Sequence, residues 1–584
     1  MPSNPDLAAV FQTIADYLSL DGDSPYRILA YEKAAALFAA HPVSIAEMAS
    51  RGELRELPGV GRAIETKVLE YLETGEIAFL ERLRERYPEG LLQVMRLPGM
   101  GPKKTRLVWE STGVADLRDL ERACREGRIR DVPGMGEKTE AKLLRALEAW
   151  DARAAGGAEL RRLRSSVEPQ ALRLVEALRA MPAVTAVEYA GSLRRLRATV
   201  RDIDLVAASA DPSAVMEAFS ILPEISGVDE RGDTKLAAKT HTGLGVDLRI
   251  VRPESYGNLL QHFTGSADHN VALRGYAQRL GYRISEYHVE QLASGRLITC
   301  PTEQEVYEAL GLDYIPPELR ENQGEIEAAE TRSLPDLIEP LDLRGDLHVH
   351  SDWTDGRAGL EDMALAARER GLEYLCFCDH SQSLAMTGGL TPERLLAQME
   401  AIRALDAGLE GIQVLTGIEV DILADGRLDL PDDALARLDY VTASIHSGFS
   451  QPRERIMDRL TQAMRNPHVR AIGHPSGRLI GRREPYEVDV EALARLAAET
   501  GTYLEINGSP ERLDLTAEAA RRAVALGAVV VVCSDAHSPG DFENLRFGVQ
   551  EARRGWLRAG DVANTLSWND MAGGQASPAK KPRF

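Results

Sequence analysis

Two periodicities alternate along this chain. Between about residues 341 and 537, seven short apolar runs are separated by stretches with helical spacing, and each run ends in polar residues. The runs are Gly345–His350, Tyr374–His380, Val414–Glu419, Tyr440–His446, Val469–His474, Thr502–Asn507 and Val529–His537. Strands alternating with helices predict parallel βα units, and functional groups at strand ends predict a barrel with its site on that rim. Upstream, the runs Asp202-Ile203-Asp204-Leu205-Val206 and Gly245-Val246-Asp247-Leu248-Arg249 have period two. Residues two apart on a strand share a face, so Asp202 and Asp204 project together and Asp247 can join them from a neighbouring strand. Three close carboxylates repel one another unless cations lie between them. Two divalent ions, Mg²⁺ or Mn²⁺, would relieve that repulsion.

The first 150 residues read as helical. Leu57-Pro58-Gly59-Val60-Gly61, Leu97-Pro98-Gly99-Met100-Gly101 and Val132-Pro133-Gly134-Met135-Gly136 each precede a helix-patterned stretch, the second beginning Pro102-Lys103-Lys104. Paired glycines at a helix start present N–H groups to a phosphate without reading bases. Three such segments in register resemble helix-hairpin-helix motifs, with Gly59, Gly61, Gly99, Gly101, Lys103, Lys104, Gly134 and Gly136 as DNA-backbone contacts.

Gly191-Ser192-Leu193-Arg194-Arg195 lies before the Asp-x-Asp run and offers N–H groups, a hydroxyl and forked guanidinium donors suited to phosphate. With the three aspartates it resembles the family X DNA polymerases, the group that includes polymerase beta. That resemblance implies that Asp202, Asp204 and Asp247 hold two metals and that Gly191, Ser192 and Arg195 contact the triphosphate of a deoxynucleotide. The run Tyr256–Ser266 resembles the family's nucleotide-pocket loop. It implies that His262, Phe263 and Gly265 lie at the nucleotide, with Asn270 on the minor-groove side and Arg274 at the template. His262 stands where vertebrate members carry an aromatic residue, and Gly245 stands where such polymerases often carry an arginine. Residues 1–85 resemble the family's N-terminal lyase domain, with Arg27 in a basic position and Lys67 where the Schiff-base lysine falls. Ala63 and Phe79 replace phosphate-binding lysines of polymerase beta.

Of the 12 histidines, six fall at the ends of the C-terminal runs. His348, His350, Asp355, His380, Glu419, His446, His474, Asp535 and His537 make nine N or O donors, too many for one ion and enough for three. Imidazole with carboxylate favours Zn²⁺, Mn²⁺ or Fe²⁺. The constellation resembles the polymerase-and-histidinol-phosphatase (PHP) domain. That resemblance implies one ion on His348, His350, Glu419 and Asp535, a second on Asp355, His380 and His537, and a third on His446 and His474 with Glu419 bridging. It also implies metal-assisted hydrolysis of a phosphoester.

The expected fold class is multidomain: all-α helix-hairpin-helix domains, an α+β nucleotidyltransferase palm, a small α/β thumb and a distorted (β/α)7 PHP barrel. The expected boundaries are 1–85 (lyase-like), 86–155 (fingers), 160–252 (palm), 253–318 (thumb), 319–340 (linker), 341–567 (PHP) and 568–584 (flexible tail), with a joint at Ala154-Ala155-Gly156-Gly157.

The chain has 584 residues, 44% of them hydrophobic, and no long apolar run, which predicts no membrane span. Five cysteines make no disulfide framework, and a reducing cytoplasm fits. A net charge of −21 speaks against tight binding to long duplex DNA and for particular ends; the hairpin glycines with Lys103, Lys104 and Arg27 make gapped or nicked DNA with a 5′-phosphate the expected partner, and a monomer is expected. The expected activity is gap-filling synthesis with 3′-5′ exonuclease, 3′-end processing or abasic-site cleavage. A phosphatase of small phosphoesters with an idle polymerase core, and a non-enzymatic DNA-end scaffold, stay open.

Overall fold

The computed structural model describes residues 2–41, 43–97, 99–155 and 161–573. Pro98, the Gly156-Gly157 half of the expected joint and residues 574–584 of the expected tail lie outside them. The chain divides into two compact units. One comprises Met1–Arg162, Ser166–Tyr189 and Arg201–Tyr256; the other comprises Leu163–Ser165, Ala190–Val200 and Gly257–Phe584. The turn that begins at Gly191 therefore groups with the thumb and barrel, not with the palm to which the sequence assigned it.

The first unit opens with helices Asn4–Asp21 and Pro25–Ala40, packed through Phe11 against Phe38 edge-on at 5.1 Å. Asn4 is buried and pins the chain locally, donating to the carbonyls of His41 and Val43 and accepting from Ile45 N at 2.8–2.9 Å. The palm sheet has the order Val184–Tyr189, Asp202–Ser209, Gly245–Val251, Lys235–Thr240, Ile225–Arg231. The Asp202–Ser209 and Gly245–Val251 strands run parallel; the other neighbours are antiparallel. Ile203, Leu205, Val246, Leu248 and Leu236 form its buried face, which leaves the intervening residues for chemistry.

In the second unit, helices Tyr256–Thr264 and Ala267–Arg279 and a three-stranded antiparallel sheet form the thumb. The stretch expected to be a linker is packed. Leu319, Ile326, Ala329 and Leu337 join the thumb core with Val306 and Tyr307, and Arg320 and Glu325 are fully buried. Proline and charge signalled a linker, but the apolar residues between them supply a core face. Glu303 anchors this region, accepting from Arg320 Nη1 at 2.5 Å and Arg194 Nη2 at 2.6 Å.

The barrel comprises seven parallel strands in sequential order: Gly345–Val349, Tyr374–Phe377, Gln413–Asp421, Tyr440–Ser444, Ala471–Ile472, Tyr503–Asn507 and Val530–Cys533. A parallel bridge between Val349 and Ala536, with His350 N donating to Ala536 O at 2.9 Å, joins the last strand to the first. Asn564 stitches the same seam from below. Its amide donates to Gly345 O and Val532 O, both at 2.7 Å, and it accepts from Val532 N at 3.0 Å. Met571 and Trp568 pack against Tyr374 and Tyr440 at the floor of the barrel. Trp568–Ala572 is a helix, so the expected tail begins too early: these residues close the barrel because they carry its last apolar side chains.

The Glu303 carboxyl is buried, which alone would raise its pKa, but Arg320 and Arg194 outweigh burial and lower it to about 2. A depressed folded-state pKa stabilises above the ordinary carboxylate value and loses that stabilisation as pH falls toward about 2. Glu303→Gln is therefore expected to destabilise the thumb by about 3 kcal/mol at neutral pH, the cost of orphaning a buried charge. Thermal unfolding of both proteins across pH 7 to about 2 should show the gap narrowing only below about pH 4.5, where the unfolded chain's carboxylate begins to take up the proton that the folded one resists until about pH 2.

Candidate functional sites

The three glycine hairpins are built alike. Val60, Met100 and Met135 donate to the carbonyls of Leu57, Leu97 and Val132 at 2.9–3.1 Å and bury their side chains. Gly59, Gly99 and Gly134 have φ of +81°, +87° and +78°, which this turn requires of its third residue. Gly61, Gly101 and Gly136 lead into helices, and a Cβ at any of the six glycines would meet nothing within 4 Å. The protein's own packing does not demand the second glycine, and its bare surface leaves room for an external backbone to approach closely. The hairpins differ in charge. Exposed Lys103 and Lys104 follow the second, whereas Glu137, 82% exposed, opens the helix after the third.

In the N-terminal domain Lys67 Nζ lies 5.3 Å from the Phe79 ring centroid and 5.9 Å from that of Tyr31. Arg27 and Arg82 flank the same Phe79 ring at 4.8 and 5.8 Å. Sequence reading had not singled out Arg82.

On the palm, Asp204 pairs in register with Asp247 across the two parallel strands, and Asp202 pairs with Gly245. The three carboxylates thus leave one face of the sheet, and Arg201 Nε holds Asp202 Oδ2 at 2.9 Å. Such a face can hold divalent ions, which would activate a hydroxyl and neutralise a leaving pyrophosphate.

In the second unit Gly191 has φ +61° and opens the short helix Gly191–Arg194. Arg195 donates to Thr264 O at 2.6 Å and to Glu321 at 3.1 Å. His262 and Phe263 rings lie 5.3 Å apart. Asn270 donates to His262 O at 2.7 Å and accepts from Gln261, with exposed Arg274 one turn further along the same helix.

The barrel brings all nine expected donors together. Glu419 divides its oxygens. Oε2 lies 2.8, 3.6 and 3.9 Å from ring nitrogens of His380, His348 and His350, and Oε1 lies 2.9 and 3.4 Å from those of His474 and His446. Asp355 Oδ2 faces His380 and His537 at 3.4 and 3.5 Å, and Asp535 Oδ1 faces His350 at 3.2 Å. Donor atoms converge in three groups: His350, Asp355, His380 and His537; His348, His350 and Asp535; and His380, Glu419 and His446. The grouping differs from the expected partition in three ways, the first being that Glu419 is absent from the group of His348, His350 and Asp535. His350 is shared by two groups, and His380 joins His446 on Glu419 while His474 meets the same carboxylate singly.

This donor set fits metal ions. Buried ring nitrogens of His348, His350 and His474 have no hydrogen-bond partner among the described residues, a costly arrangement unless a cation takes the lone pairs. His474 and Asp535 hold φ of +29° and +54°, backbone strain concentrated at two donor positions. Burial disfavours the charged form of His380, but Glu419 and Asp355 prevail and raise its pKa to about 10; Asp355 and Asp535 likewise raise that of His537 to about 9. His350, buried beside His537, falls to about 3.

Supporting residues escaped the sequence reading. Glu505 accepts from His348 Nδ1 at 2.7 Å and from His474 N at 2.6 Å; Asp421 holds His446 Nδ1 at 2.9 Å. Arg512 Nε lies 3.4 Å from Asp535 Oδ2, and Asp379 accepts from Ser351 N and Oγ beneath the Asp355 loop. Parity was the available signal: Asp421 is two residues beyond Glu419, and Glu505 shares the inward face of its strand with Asn507. Such partners orient metal-binding imidazoles.

Three aspartates on one face of the palm sheet, and imidazoles with carboxylates at the rim of the barrel, give a class of enzyme with two separate donor sets in one chain. Residues 2–77 match the helix-hairpin-helix domain family, 91–149 the SAM-like helix-hairpin-helix tandem, 259–321 the DNA polymerase beta thumb and 346–509 the PHP domain. The DNA polymerase/3′-5′ exonuclease PolX of Bacillus subtilis (strain 168) is 40% identical over 569 residues, 97% of this chain and 98% of that protein. The chain belongs to this family of X-type polymerases with a C-terminal PHP domain. A probable phosphatase of Thermoanaerobacter sp. (strain X514) is 29% identical over 235 residues, 38% of this chain and 89% of its own length. One from Caldicellulosiruptor saccharolyticus is 35% identical over 154 residues, 26% and 59% of the two chains. Among the described residues no helix is long and apolar enough to cross a membrane.

Glu419→Ala is expected to lower bound transition metal by more than one equivalent, because both oxygens of the carboxylate serve different donor groups. Elemental analysis of the purified variant measures this, and retention of full metal content would contradict the shared-carboxylate arrangement. A second expectation concerns the hairpins. Lys103→Glu with Lys104→Glu should weaken gapped-DNA binding and flatten the log–log salt dependence by roughly 1–2 units, at about 0.9 per phosphate contact. Lys138→Glu, after the acidic third hairpin, should change the slope less in the same titrations.

Proposed function

We propose that this chain fills short gaps in DNA during base-excision or break repair and trims 3′ ends with its barrel. Its substrates are deoxynucleoside triphosphates and gapped or nicked DNA carrying a 5′-phosphate, bound by a monomer in the cytoplasm. Asp202, Asp204 and Asp247 would hold two Mg²⁺ or Mn²⁺ ions, with Asp247 orienting the primer 3′-hydroxyl. Gly191, Ser192 and Arg195 would grip the triphosphate, and His262, Phe263, Gly265, Asn270 and Arg274 would line the nucleotide and template. The glycine hairpins and Arg27 would hold the DNA backbone, and Lys67 is a candidate amine for a 5′-deoxyribose phosphate lyase. Up to three Zn²⁺, Mn²⁺ or Fe²⁺ ions in the barrel would supply Lewis-acid activation of water and phosphate. Around them Glu505 and Asp421 fix the imidazoles of His348 and His446, while Asp355 and His537 stay partly open to solvent.

One observation supports this reading above others: a single chain carries both complete donor sets, and nearly all of it aligns with a relative named for both activities. Asp202→Ala with Asp204→Ala should abolish primer extension and leave 3′-end degradation intact, since the two donor sets sit on different folds. Primer-extension and degradation assays on one preparation decide it. Undiminished synthesis would remove the polymerase assignment, and release of phosphate from small phosphoesters with no action on either DNA end would favour the phosphatase reading.

A further inference from the structure

The turn Gly191–Arg197 carries three arginines, and all three are tied to carboxylates further along the chain. Arg194 donates to Glu303 Oε2 at 2.6 Å and to Thr264 Oγ1 at 2.6 Å. Arg195 donates through Nη1 to Thr264 O at 2.6 Å and through Nε to Glu321 Oε1 at 3.1 Å. Arg197 Nη1 lies 3.7 Å from the same Glu321 oxygen and 3.8 Å from Glu518 Oε1, on a helix of the barrel. Glu518 lies 3.8 Å from Arg554, and Arg554 pairs with Glu551 at 3.1 Å. Glu321 follows Arg320, whose guanidinium completes the Glu303 pair and whose carbonyl accepts from Ser266 N at 3.0 Å. Three residues earlier, Glu318 accepts from Arg553 of the barrel at 2.7 Å. Gly265 leaves room for this arrangement, since a Cβ there would lie 3.1 Å from Arg195 Nη1.

We infer that Glu321, in the segment leading from the thumb into the barrel, is the positioning residue for Arg195 and so for the triphosphate-binding turn. The inference rests on the reading of Gly191, Ser192 and Arg195 as triphosphate contacts. Arginine is a flexible side chain, and ordering it at the moment of binding costs affinity. Arg195 is 14% and Glu321 18% exposed, so their bond is partly shielded from water and holds the guanidinium before a nucleotide arrives. The two bonds use Nε and Nη1, which leaves the Nη2 edge for a phosphate oxygen. The barrel contributes through Glu518 and Arg553 to the rigidity of a turn that serves the other reaction.

If Arg195 grips the triphosphate as firmly before the reaction as in the transition state, losing its fixed orientation raises KM and spares kcat. In the full-length protein, Glu321→Gln is expected to raise KM for deoxynucleotide about tenfold with kcat within about twofold, the weight of one charge-assisted hydrogen bond. Exonuclease rate and metal content should stay at wild-type level, and Glu321→Asp should recover most of the KM. Glu518→Gln, at a half-exposed position, should raise KM about twofold, as befits a screened pair. If Glu321→Gln fails to fold by circular dichroism, Glu518→Gln with Arg197→Gln decides the matter. An unchanged or lowered KM in the folded variants overturns the inference, a lowered value meaning that Glu321 competes with phosphate. Ser192→Ala is the control for the underlying reading. If it raises KM while Glu321→Gln does not, only the positioning role fails; if neither changes KM, the triphosphate assignment itself falls.

Discussion

The carboxylate of Glu419 is 1% exposed and faces five imidazoles, and the barrel is organised around that concentration of charge. Removing ionised groups from water is expensive, and the expense is tolerable only where each group meets an opposite charge or a hydrogen bond in fixed geometry. A closed parallel barrel meets this demand because its strand ends point side chains from distant sequence positions at one another. The further carboxylates Glu505, Asp421 and Asp379 stand behind the donors for the same reason. Asp346, deeper still and bonded to Ser534, is pushed up to about 7 by burial alone. The arrangement is incomplete as an ensemble of protons: ring nitrogens without partners and two donors in left-handed backbone describe a site shaped for cations.

Much of this was legible before any coordinates. The barrel donors announce themselves because each follows an apolar run, and the palm aspartates because period two puts Asp202 and Asp204 on one face. Hydrogen-bond partners were harder to find. Glu505 supports His348 across 157 residues of chain, a relation with no local signature. Composition misled at Pro316–Pro340, where prolines and charges flank buried Leu319, Ile326 and Leu337. It misled again at Trp568–Ala572, where a short helix carries a single buried methionine. Motif similarity equated the three hairpins, yet the residue after the second glycine changes their electrostatic character, from Pro102-Lys103-Lys104 to Glu137. The match to the PHP family ends at residue 509, yet Asp535 and His537 from the last strand enter the donor groups. Fold boundaries inferred by likeness are shorter than the physical object.

The two donor sets make different uses of similar chemistry. The palm presents three carboxylates on an open sheet face, with partial exposure and no imidazole at those register positions. Hard oxygen donors of that kind suit ions that exchange with substrate. The barrel mixes nitrogen and oxygen donors, most of them buried, a set that suits Zn²⁺, Mn²⁺ or Fe²⁺.

The seam between the first and last barrel strands depends on Asn564, and the floor depends on Leu566, Trp568 and Met571. These residues lie about 220 residues after the strand they secure at Gly345. A ribosome releasing the chain in order thus exposes the front end, palm and thumb long before the barrel can shut. Until Asn564 and the floor residues are in place, the growing polypeptide carries its imidazole donors on an unsealed sheet. A chain lacking Asn564 and the floor residues would leave that seam unmade, while the thumb, earlier in sequence, keeps a core of its own.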